Sequence, residues 1–135
     1  MLFLDTSAIV KRYVAEEGTQ LVLELMARDT VWAASAMAQM ETRVTLCHLG
    51  FGEDDEAELQ RQASSDWQRF LVVPLTGPSL DRAVEIGCGQ HLRTLDAIHL
   101  SAAAQLPRPL TFLTFDRLQA VAAEALGFDV PLVGE

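Results

Sequence analysis

A chain of 135 residues with a net charge of −9 is long enough to bury a core without disulfide staples, and its acidity argues against a protein that coats nucleic acid by bulk attraction. Half of its residues are hydrophobic, but no uninterrupted apolar run approaches the ~20 residues of a membrane span. There is also no basic n-region with a small-residue cleavage site, and Cys47 and Cys88, which lack metal-ligand spacing, read as reduced thiols packed in a cytoplasmic domain.

The chain opens on a short buried strand, Met1-Leu2-Phe3-Leu4, which stops at Asp5-Thr6-Ser7. A helix follows at once through Val14, with Thr6 or Ser7 as its N-cap. Gly18 reverses the chain, and Thr19 caps a helix over Gln20 to Arg28 whose inner face carries Leu21, Val22, Leu25 and Met26. Val31 to Ala34 reads as a second strand, and Ser35 caps a long helix from Ala36 to about Leu49. Glu41 lies on that helix among Met37, Met40 and Val44, so it falls on or beside the face expected to be buried, where a carboxylate is costly unless paired or coordinated. On spacing alone, an ion pair with Arg43 or another arginine, or a boundary position with the carboxylate reaching water, accounts for it.

Glu53 to Phe70 reads as a helix that starts in solvent with Glu53, Asp54, Asp55, Glu56 and Glu58, which suit the helix dipole and lack the spacing of a calcium loop. Leu71 to Leu75 is a third strand, placed at an edge by Pro74. Pro78 opens a helix that runs to about Gly87, where Gly87-Cys88-Gly89 reads as a break. Thr94 then caps an alanine-rich, mostly buried helix over Leu95 to Gln105. Asp96 sits in its first turn, where it either complements the dipole or serves a site. His99 shares that face, as a hydrogen-bonded core residue or as a support that orients Asp96. Leu110 to Thr114 is a strand that runs out into Phe115-Asp116 before a helix over Arg117 to Leu126, which Gly127 stops. Val130 to Val133 reads as a last edge strand.

Strands that alternate with helices call for an α/β fold, a mostly parallel central sheet of four to five strands flanked by helices, in a single domain over residues 1–135. Four acids stand apart from the solvent-facing charge. Asp5 and Asp116 terminate buried strands, Asp96 opens a buried helix, and Glu41 interrupts an apolar face. In a parallel sheet the carboxyl ends of all strands share one edge, so these acids are expected to converge there and to repel one another unless protonated or bridged by a cation. Carboxylate and water ligation suits Mg²⁺ or Mn²⁺, and a pair of such ions can clamp the attacking and leaving oxygens of a phosphodiester.

Leu4-Asp5-Thr6-Ser7-Ala8, Glu41 in the helix after Ser35, the segment Leu92 to Leu100 with its Asp96-Ala97-Ile98-His99-Leu100 core, and Thr114-Phe115-Asp116 before a helix stand in the order found in PIN-domain ribonucleases. The chain resembles that family over nearly its whole length, and most closely the VapC-type toxins of toxin–antitoxin pairs. The resemblance implies a PIN-like fold and a metal-dependent endoribonuclease, in which an activated water attacks the RNA phosphate in line and leaves a 5′-phosphate and a 3′-hydroxyl. It implies that Asp5 and Asp96 ligate Mg²⁺ or Mn²⁺, that Glu41 binds directly or through water, and that Asp116 helps hold that ion or a second one. Thr6 and Thr114 would orient carboxylates or waters, and Arg93, Lys11 and Arg12 would contact phosphate. A VapB-like antitoxin would cover the early helices near Tyr13 and Val14 and reach the acidic site with a basic side chain, and the protein would form a homodimer. The competing readings are a PIN-type nuclease of RNA maturation, a non-catalytic domain that keeps the fold, and a phosphohydrolase with Asp5 as nucleophile. The last is disfavoured by Ser7, which stands where that chemistry needs a second acid.

Overall fold

The computed structural model describes residues 1–131. Among these residues, four strands form one parallel sheet: β1 (Leu2–Leu4), β2 (Trp32–Ser35), β3 (Leu71–Val73) and β4 (Thr111–Leu113), in the spatial order β3-β2-β1-β4. Seven helices connect and flank them: α1 (Thr6–Tyr13), α2 (Thr19–Arg28), α3 (Ala36–His48), α4 (Glu53–Trp67), α5 (Gly77–Gln90), α6 (Thr94–Ala104) and α7 (Arg117–Ala125). Phe3 stands opposite Ala33 on one side and Phe112 on the other, so β1 is central and buried on both faces. The expected fifth strand shrinks to a single parallel bridge between Thr111 and Asp129, and Leu132 and Val133 lie outside the described residues.

Alternation along each strand separates two cores. Phe3, Ala33, Val73 and Phe112 point to the face covered by Ile86 of α5, Leu100 and Ala103 of α6, and Ala122 and Ala123 of α7. Phe3 and Phe112 stack there with ring centroids 5.2 Å apart. Leu2, Leu4, Trp32, Ala34 and Leu113 point the other way, against Ala8 and Ile9 of α1, Val22 and Met26 of α2, and Ala38 of α3. Short apolar runs without polar alternation are what a parallel strand covered on both faces requires.

Several local expectations are corrected. Asp5, not Thr6 or Ser7, caps α1, because its carboxylate accepts the Ala8 N–H at 3.0 Å while both hydroxyls are engaged elsewhere. Gly18, with φ +95°, precedes α2 in place of a Thr19 cap, and a Cβ there would lie 2.5 Å from the Phe115 ring. Thr19 instead donates its hydroxyl to the carbonyls of Lys11 and Val14. Thr94 lies inside α6, whose N-cap position is Arg93. Cys47 and Cys88 are exposed rather than packed.

The expected break at Gly87-Cys88-Gly89 is absent, since α5 continues to Gln90 and ends at His91 in the left-handed region. Gly87 serves the contact between α5 and α6, because a Cβ there would come within 3.3 Å of the Ala97 Cβ. A large side chain at this point must push Ala97 and the start of α6 away from α5. Gly87→Leu is expected to lose about 1–3 kcal/mol of stability, read as a lower urea midpoint at unchanged slope.

Candidate active site

β1 and β4 end side by side, but the chain leaves them on opposite faces, into α1 after β1 and into α7 after β4. Such a divergence opens a crevice at the carboxyl edge of a parallel sheet. Asp5 and the turn Thr114-Phe115-Asp116 border it.

Asp5 is 3% exposed. Its Oδ1 accepts the Ser7 hydroxyl at 2.7 Å and the Ala8 N–H at 3.0 Å, and its Oδ2 accepts the Thr114 hydroxyl at 2.5 Å. Burial pushes its pKa above the ordinary carboxylate value, and the bonds from Thr114, Ser7 and Ala8 and the nearby His99 only partly counter this. Ser7 also accepts the Phe115 N–H at 2.9 Å, and Thr114 accepts the Asp116 N–H at 3.0 Å. The first turn of α1 and the turn after β4 are thereby tied together around one carboxylate.

Glu41 enters from α3, but not on the face that the sequence indicates. The buried side of α3 is Ala38, Thr42 and Leu46, while Met40 and Val44 are exposed. Glu41 lies at the margin of the buried side, and its Oε1 accepts the Thr6 hydroxyl at 2.8 Å. His99 Nε2 lies 2.7 Å from the same oxygen. Burial raises the Glu41 pKa, but the hydrogen bond and charge of His99, with the bond from Thr6, outweigh it and bring the net value below the ordinary one. An ionised carboxylate only accepts, so Nε2 carries the proton. His99 is 2% exposed, and its Nδ1 has no partner among the described residues. His99 therefore supports Glu41, and not Asp96 as its position in α6 suggests. Arg43 pairs with Gln60 rather than with Glu41.

Asp96 in the first turn of α6 and Asp116 at the N-cap of α7 complete the group. Burial and the charge of Asp116 raise the Asp96 pKa, and Arg93 and His99 offset this in part. The Arg93 guanidinium reaches Oδ2 of both acids, at 3.4 Å from Asp96 and 3.2 Å from Asp116. Asp116 Oδ1 accepts the Gln119 N–H at 3.0 Å, and the fully buried Gln119 side chain donates to the Asp96 carbonyl at 3.0 Å.

The sheet edge thus gathers Asp5, Glu41, Asp96, Asp116, Thr6, Thr114 and Arg93. Lys11 and Arg12, at the far end of α1, are not drawn in. Lys11 binds Glu16 and the Glu17 carbonyl, and Arg12 pairs with Asp66 at 2.8 Å. Ser7 and Gln119 bond into this group although neither is among the site residues chosen from the sequence, and His99, weighed there as a support for Asp96, binds Glu41 instead. Gln119 carries a local signal, since Asp116 and a glutamine three residues on have capping-box spacing. Among the described residues, no three acid or imidazole side chains stand close enough to enclose an ion without adjustment.

A sequence model described as the PIN domain matches residues 2–125. Ribonuclease VapC47 of Mycobacterium tuberculosis is 32% identical over 131 residues, which is 95% of this chain and 93% of the relative. Among solved structures, a toxin–antitoxin complex from Klebsiella pneumoniae aligns with a TM-score of 0.72 at 19% identity, covering 100% of this chain and 99% of that one. VapC20 of Mycobacterium tuberculosis, described as a toxin that cleaves the sarcin-ricin loop, aligns with a TM-score of 0.71 at 19% identity over 95% of this chain and 96% of its own. At these identities the two structures speak for the fold alone.

Proposed function

The chain belongs to the PIN-domain family, with VapC ribonucleases as its relatives, and on that premise we propose that it is a divalent-metal-dependent endoribonuclease, the toxin of a toxin–antitoxin pair. The observation that carries this reading is the meeting of Asp5, Glu41, Asp96 and Asp116 at one sheet edge, where Asp5 and Asp96 are held above their ordinary pKa values. The donor set fits a hard cation, because it offers carboxylate oxygens and excess negative charge without sulfur ligands. Asp5 and Asp96 would hold Mg²⁺ or Mn²⁺, Glu41 would bind it directly or through water, and Asp116 would hold the same ion or a second one. A divalent ion there supplies Lewis-acid polarisation of a phosphodiester and a more acidic water.

The chain's own residues prepare that chemistry. Thr114 and Ser7 fix both oxygens of Asp5, while Thr6 and His99 fix Glu41, so each of these carboxylates is oriented singly, and the acids have to draw closer to enclose an ion. Arg93 stands at the open side for a phosphate. Lys11 and Arg12 would have to leave their internal partners to do the same. Hydrolysis joins the water oxygen to phosphorus and breaks the bond to the 3′ oxygen, which takes up a proton. The products are a 5′-phosphate and a 3′-hydroxyl.

The partner reading follows from the relatives and from the charge. A VapB-like antitoxin with a basic side chain suits an acidic edge on a chain of net charge −9. A homodimer and a cytoplasmic location belong to the same proposal. Among the described residues no helix is long and apolar enough to cross a membrane.

Total bacterial RNA incubated with metal-stripped protein tests the activity, with fragment ends read by sequencing. Discrete ends bearing a 5′-phosphate are expected with Mn²⁺ or Mg²⁺ and not with excess EDTA. Equal cutting in EDTA would overturn the metal dependence. If no RNA is cut at saturating Mn²⁺, the nuclease reading falls.

A further inference from the structure

Arg93 breaks a local rule. It occupies the N-cap position of α6, where the positive end of the helix dipole favours an anion, and it makes no side-chain capping bond. Its side chain is 81% exposed, a setting in which an isolated ion pair contributes little. Yet the guanidinium bridges acids from two separate elements, Asp96 in α6 and Asp116 at the start of α7. Among the described residues it is the sole cation within ion-pair distance of either acid.

We propose that Arg93 is the built-in counter-ion of this acid pair, clamping Asp96 and Asp116 in the cation-free protein and competing with a divalent cation for their oxygens. The inference rests on the metal reading above and adds a residue that opposes loading. Both contacts fall on Oδ2, so an ion held through those atoms would face a positive fork at close range. The planar guanidinium can reach two carboxylates at once, which a lysine ammonium on the same stem does less well. High exposure and the unfavourable dipole make the clamp shallow. It can open at small cost, unlike the half-buried pair of Arg12 and Asp66. Cation binding would therefore release Arg93 from both acids and leave it free at the open side of the site.

Mn²⁺ titration of the metal-stripped protein by calorimetry tests this, alongside Arg93→Gln and Arg93→Lys and melting curves in EDTA. The clamp predicts that Arg93→Gln binds Mn²⁺ about five- to tenfold more tightly, melts lower than wild type in EDTA, and gains more in melting temperature on Mn²⁺ addition. Arg93→Lys is expected to fall between the two, because it keeps the charge and loses the fork. If the lysine variant matches wild type while the glutamine variant binds more tightly, general charge rather than a clamp is responsible, and the proposal fails. Equal or weaker binding by a folded Arg93→Gln also overturns it, while leaving the metal reading intact. Mn²⁺ bound by none of the three proteins overturns both.

Discussion

Asp5→Asn is expected to abolish RNA cleavage and, in the same protein, to raise the melting temperature of the metal-free fold at neutral pH. The two effects share one cause. Asp5 is buried, and its folded pKa lies above the ordinary aspartate value because burial outweighs the bonds it accepts. The folded protein therefore holds this proton more tightly than the unfolded chain does. Stability is greatest below the unfolded value, is lost as pH rises through the raised folded value, and stays reduced at neutral pH. Asparagine removes that loss and keeps the shape. Its Oδ1 can still accept from Ser7 and Ala8, and the Thr114 hydroxyl can turn to accept from its amide. Without a carboxylate the proposed ion loses a principal ligand, and cleavage should fall by about a thousandfold or more, some 4 kcal/mol at the transition state. Mn²⁺ should raise the melting temperature of wild type by mass action and that of Asp5→Asn far less. Single-turnover cleavage and melting curves in EDTA and Mn²⁺ read all three effects. Cleavage within a few-fold of wild type would remove Asp5 from the site. A lower melting temperature in EDTA would mean that its hydrogen bonds matter more than its desolvation.

What could be read from the chain follows the range of the forces involved. The run Leu2 to Leu4 ending at Asp5, and the run Thr111 to Leu113 ending before Asp116, are legible because an apolar segment cut off by a carboxylate has few other placements in an α/β chain. Parallel pairing then brings both acids to one edge, so the gathering of the acids is as legible as the sheet. Side-chain partners are not. His99 is three residues from Asp96 and binds Glu41, which is 58 positions away, because α3, which leaves the end of β2, and α6 both pack against that strand. Nothing local encodes that meeting. The buried face of α3 is hidden for a related reason: Met40 and Val44 look like core residues by composition but are exposed, whereas Thr42 is buried. Gly87 and Gly89 signal a break by propensity, yet the packing of α5 on α6 overrides them and requires the first of the pair. Lys11 and Arg12 show the same limit. A basic pair after a catalytic motif suggests phosphate contact, and only the fold shows that Glu16 and Asp66 already engage them.

Thr114→Val is expected to weaken the fold and the site together, since one hydroxyl serves both. It donates to Asp5 Oδ2 at 2.5 Å and accepts the Asp116 N–H at 3.0 Å, in a residue that is fully buried. Valine is nearly isosteric and β-branched, so the end of β4 keeps its shape. Two groups then lose a partner, and a donor or acceptor left unsatisfied in a buried setting costs about 1–3 kcal/mol. Loss of the donor also removes a bond that holds the Asp5 pKa down. Metal affinity or cleavage should drop about 10–100-fold, the usual size of an outer-shell effect. Thr114→Ser keeps the hydroxyl and should retain most of both properties. A double-mutant cycle with Asp5→Asn separates the two roles. The bond to Asp5 is charge-assisted in wild type and neutral in the asparagine background, so Thr114→Val should cost about 1 kcal/mol less there. Equal costs in the two backgrounds would locate the contribution of Thr114 in the Asp116 N–H and the start of α7, leaving Asp5 to be held by Ser7 and Ala8.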